Sequence, residues 1–143
     1  MGMYEIAKII HIYCAIIFVG YLFFDVVVFD LVKKRLGESA QKVSNEISKI
    51  TSNIMPLTVF VLILTGGMMM TRWVNSQIGY FQTTLQQLFM LKVILAFVIF
   101  IAICINQFFK RVLKTKGPLG NIHYFALLAS FIIILIAKIM FFV

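Results

Sequence analysis

His11 and Asp25 stand fourteen residues apart in KIIHIYCAIIFVGYLFFDVVVF, a run that is otherwise almost wholly apolar. Uncharged imidazole is tolerated inside a helix bundle and is a common ligand of metals and of haem iron. Lys92 and Lys138 are likewise set into apolar stretches, and Arg72 closes another. A charge at such a depth costs on the order of 2.5–3.5 kcal/mol unless it is compensated or snorkels to the interface, so a cluster of these groups suits an anionic ligand. Soft donors stand near the same places: Cys14 follows His11 by three residues, and Met68, Met69 and Met70 run in series after the paired Gly66 and Gly67. Thioether and thiolate sulfur favour Cu(I), which makes a copper site of His11, Cys14 and the methionines the rival of a porphyrin site.

Those residues are positioned by elements that the composition announces. The chain has 143 residues, 62% of them hydrophobic and only 13% charged, with a mean hydropathy of +1.04. A water-soluble domain is not built this way. Apolar runs of about 18 residues or more read as membrane-spanning helices. There are four, about Ile9 to Phe29, Ile54 to Thr71, Leu88 to Phe109 and Ile122 to Val143. The expected fold is all-α, a single polytopic domain of four transmembrane helices. Span one is read as a mature helix and not a cleaved leader, because it is long, carries Asp25 and has no small-residue cleavage site before Lys33.

Between spans one and two, Leu36, Ala40, Val43, Ile47 and Ile50 recur at helical spacing, which predicts a basic amphipathic helix on the membrane surface. Asn53 and Pro56 predict the start of span two. The polar segment 72–87, with Trp73, Tyr80 and Phe81, predicts a short interfacial loop. A Gly117–Pro118 turn leads into span four. Lys33, Lys34, Arg35, Lys42, Lys49, Lys110, Arg111, Lys114 and Lys116 all fall in the first and third connections. The positive-inside rule puts these in the cytoplasm and both termini outside. The net charge of +8 is therefore a topology signal and not a nucleic-acid footprint, since the cations flank spans and no recognition motif accompanies them.

With that topology, His11, Arg72, Lys92 and Lys138 share one outer layer. Asp25 and Asn106 share a deeper one, each fourteen residues from His11 and Lys92 respectively. Asp25 is expected to be neutral or to pair with Asn106, as an interhelical hydrogen bond or as part of a proton path. His123 opens span four at the cytoplasmic boundary, a helix-start or headgroup position. About 30 Å of hydrocarbon separates it from His11, so the two cannot ligate one iron. A bis-His site would need a second copy of the chain, which makes a homo-oligomer a candidate assembly. Cys14 and Cys104 lie near opposite ends of their spans, too far apart for a disulfide. Nucleophile–base–acid arrangements, phosphate-cradling glycine loops and paired-cysteine zinc motifs do not occur, leaving hydrolase and nucleotide-dependent chemistry without support.

HIYCAIIFVG in span one, LKVIL opening span three and IAKIMFF closing span four together resemble the small four-helix membrane proteins related to HemJ-type protoporphyrinogen oxidase and the copper-resistance CopD family. The resemblance covers nearly the whole chain. It implies a bacterial inner-membrane protein that binds haem b, with His11 as the proposed haem ligand and Lys92 and Lys138 matching the family's third- and fourth-span lysines. A porphyrin substrate and an oxidoreductase activity follow from the HemJ side, copper transport or tolerance from the CopD side. HemJ-type proteins carry a tryptophan soon after the first histidine and another histidine late in span three, where this chain has FVGYLFF and ICINQFF. Asp25 and Asn106 are outside the match. A noncatalytic assembly factor that uses the bundle as a partner surface is the third expectation.

Overall fold

A computed structural model describes residues 1–113 and 122–142. Lys114, Lys116 and the Gly117–Pro118 turn lie outside the described residues, as do the Lys110 side chain and Val143. Helix α1 spans Met3–Phe23 and passes without a break through a π-helical turn, Phe24–Phe29, into α2, Asp30–Leu36. Helix α3 covers Glu38–Met70, α4 Thr84–Arg111 and α5 Ile122–Ile139. Among the described residues, four helical stretches are long and apolar enough to cross a membrane: Met3–Leu36, Glu38–Met70, Thr84–Phe109 and Ile122–Ile139. Only 17% to 33% of the most apolar window of each is buried inside the protein. Large apolar side chains such as Ile16, Leu57, Phe97 and Leu135 point outward. This surface is stable against lipid and not against water.

Two elements differ from the sequence expectation. The connection between the first two spans is a tight turn and not a separate surface helix. Gly37, at φ 60° and ψ −128°, reverses the chain between α2 and α3, and its N–H bonds to the Lys33 carbonyl at 2.9 Å. Left-handed backbone of this kind favours glycine. The amphipathic stretch is instead the first half of α3, in which Ala40 is fully buried against the hairpin while Val43 and Ile50 are exposed.

Pro56 accordingly lies inside α3 and does not start it. An interior proline removes one intrahelical N–H donor, here the one that would serve the Ser52 carbonyl. Arg111 of α4 supplies the substitute: its Nη2 donates to Ser52 O at 3.0 Å and to Asn53 Oδ1 at 2.6 Å. With the orphan carbonyl satisfied, continuing the helix is cheaper than breaking it.

The core follows the length of the bundle. Phe18, Leu22, Val26, Val59, Ile99, Ala126, Leu127 and Ala129 form its middle. A second cluster of Val74, Phe89 and Met140 closes the end that carries both termini. There the 72–83 loop folds over the bundle: Gln86 donates through Nε2 to the carbonyls of Trp73, Ile78 and Gly79 and accepts from the Gln82 N–H. Thr83 caps α4 by accepting from the Gln86 N–H. The Trp73 indole reaches Tyr4 of α1 at 3.4 Å and stacks edge-on against Phe141.

Candidate functional site

Near that end, α1, α3, α4 and α5 leave a cavity of about 370 Å³, within the range usual for cofactor sites. His11 from α1, Lys92 from α4, and Gly66, Gly67, Met69 and Met70 from α3 contribute to its wall, and the remaining lining is apolar. The sequence places these residues together because α1 and α3 run antiparallel from the Gly37 hairpin, which sets the start of one against the end of the other.

The imidazole is held by two neighbours. His11 Nδ1 lies 2.8 Å from Thr65 Oγ1, and that hydroxyl lies 2.8 Å from the Val61 carbonyl of its own helix. A threonine hydroxyl has one proton. When that proton goes to Val61, the oxygen accepts from Nδ1–H and Nε2 keeps the free lone pair. This is the tautomer and orientation that ligand histidines adopt when their outer nitrogen is fixed by a hydrogen bond. Beneath the ring lies Gly66: a Cβ there would stand 3.3 Å from His11 Cε1. The room for the ring therefore comes from Gly66 on the facing helix.

Lys92 sits with its ammonium 4.2 Å from the centre of the Phe89 ring. The ring's negative face supports the charge inside an apolar wall. Of the four groups expected in the outer layer, these two, His11 and Lys92, meet in the cavity. Arg72 instead lies over the Tyr4 ring at 4.6 Å, and Lys138 is exposed one residue before the end of α5. Met69 and Met70 line the cavity, whereas Met68 is 45% exposed on the outer surface. Cys14 is half-buried and outside the lining, and Cys104 is exposed. Among the described residues no group of three or more histidine, cysteine or acidic side chains is arranged for a metal ion.

The deeper layer is arranged differently from expectation. Asp25 pairs with Nδ1 of His123, not with Asn106. His123, read as a helix-start or headgroup residue, thus ties α5 to the π-helical turn. Depth arithmetic contained this signal, since Asp25 lies four residues before Phe29 and His123 one residue after Ile122, so both sit just inside the same face. Thr65 carried no such signal: a lone threonine in an apolar run looks like packing until a facing helix brings the imidazole to it.

Comparison with protein-family models, with curated proteins and with solved structures gave no match. The arrangement offers a ligand in the cavity one imidazole, two thioethers from α3 and one ammonium. The walls around the imidazole and the ammonium are otherwise apolar, and Cys14 is not among them.

Proposed function

We propose that the protein is an integral membrane haem b-binding protein, a divergent relative of the HemJ-type and CopD-like proteins that works as a protoporphyrinogen oxidase or a related redox protein. The observation that carries this reading is the His11 imidazole, held through Nδ1 on Thr65 in the wall of a cavity that Lys92 shares. In this reading His11 would hold the haem iron, Met69 or Met70 would offer a further donor, and Lys92 would pair with a propionate by a charge-assisted hydrogen bond. Bound haem would supply one-electron redox chemistry, and the apolar wall would exclude water from it. The reading places the protein in the bacterial cytoplasmic membrane, with the Gly37 hairpin inside, where Lys33, Lys34, Arg35, Lys42 and Lys49 satisfy the positive-inside rule.

Purification in mild detergent from haem-replete cells should give a b-type Soret and alpha-band spectrum, and His11→Ala should abolish it. An unchanged spectrum in the variant removes His11 as the ligand. Stoichiometric copper without haem would favour the CopD-like reading, and a sample with neither would leave the bundle as an assembly surface.

A further inference from the structure

At the end of the bundle opposite to the His11 cavity, all four spans converge on a small polar chamber. Its volume is about 50 Å³; a water molecule needs roughly 10–15 Å³ by this measure, so a few waters fit. Tyr21, Thr51, Asn106, Gln107 and His123 bring polar atoms to its wall. The Gln107 Oε1 atom is buried and has no hydrogen-bond donor among the described residues. Such an oxygen costs about 1–3 kcal/mol if left dry, so it marks where a water belongs. His123 has Nδ1 on the Asp25 carboxylate, and the Tyr21 ring lies edge-on to the imidazole at 5.9 Å. Asp25 itself is carried by the π-helical turn Phe24–Phe29, a rare geometry concentrated at functional positions.

We propose that this chamber is a proton-exchange site, in which the Asp25–His123 pair trades protons with waters held by Gln107 and Asn106 and, through them, with the aqueous face at the Gly37 end. A proton arriving from water forms the Nε2–H bond of His123 while the Nδ1–H bond breaks and its proton passes to the Asp25 carboxylate; the return step runs in reverse, and no electrons move. Asp30 pairs with Lys34, Lys33 lies over Phe29, Glu46 pairs with Lys49, and Arg111 is bound to Ser52 and Asn53. Among the described residues, His123 is the one histidine in the chamber wall, and no acidic side chain lines it.

The site is independent of the outer cavity. A layer containing Val59, Ile99 and Ala129 separates them, and the hydroxyls of Thr58 and Ser130 at that level are spent on carbonyls of their own helices. The proposal therefore stands or falls without haem.

The chain has two histidines, so ring N–H signals of ¹⁵N-histidine-labelled protein in lipid bilayers can be assigned with His11→Ala, and their exchange with water measured by magnetisation transfer. The His123 ring N–H should exchange at least about tenfold faster than that of His11. Asp25→Asn and Gln107→Leu should each bring the His123 rate down toward the His11 rate, with the His11 signal itself unmoved as the check on folding. A wild-type His123 rate no faster than that of His11 overturns the proposal. So does a rate that survives both substitutions.

Discussion

A single imidazole in an apolar helix is ambiguous by type, and its hydrogen bond decides what it can do. Thr65 turns His11 from a packing residue into one with a defined free nitrogen. Replacing Thr65 by Val keeps the volume and removes the acceptor. Partners of this kind typically change metal affinity by 10–100-fold, so haem retention in a competition with apomyoglobin should fall by about that factor in Thr65→Val. In the same assay Lys92→Met should cost about 1.5–3 kcal/mol of binding, the worth of one hydrogen bond to a charged group. Lys138→Met should cost almost nothing, because that side chain is outside the cavity wall. Equal losses from the two lysine variants would mean that neither acts by touching the ligand. Asp25→Asn should leave haem content near wild type, being about 21 Å along the helix from His11.

Among the elements, α3 is the one whose form most depends on its neighbours. Pro56 breaks its hydrogen-bond ladder, and Arg111 restores the lost donor from another helix. The two residues are therefore coupled through one carbonyl. Arg111→Met should destabilise the solubilised protein by about 1 kcal/mol, below the usual range for a hydrogen bond to a charged group because the contact is exposed. In a Pro56→Ala background, where the residue-56 N–H can again reach Ser52, most of that loss should vanish. A double-mutant cycle on SDS or thermal unfolding measures the coupling. Strict additivity would show that the guanidinium holds Asn53 alone and has nothing to do with the proline.

For the molecule as a whole, the placement of both termini at one end follows from contacts and not only from counting spans. Trp73 touches Tyr4 near the start of α1 and Phe141 beyond the end of α5, while Asp25 and His123 mark the other end beside the Gly37 hairpin. The basic residues Lys33, Lys34, Arg35, Lys42, Lys49 and Arg111 gather at that second end. A topology reporter fused after Val143 should accordingly be active only on the outer side of the membrane. Activity in the cytoplasm would invert the assignment of the two sites to the two faces.

Four apolar runs and the gathering of positive charge between them were legible in the sequence, because membrane insertion is governed by local composition and length. The cavity residues His11, Lys92, Met69 and Met70 were also visible as polar or soft groups in apolar surroundings. What the tertiary structure decided was which of them meet. Arg72 and Lys138 share the depth of His11 but stand outside the cavity wall, because depth is one coordinate and the rotation of each helix about its axis is another. Met68, Met69 and Met70 differ only in that angle, about 100° per residue, and so divide between lipid and cavity. The partners Thr65 for His11 and His123 for Asp25 lie 54 and 98 residues away in the chain. Periodicity along one helix carries no information about which groups a neighbouring helix will turn toward it, and that choice is made by packing.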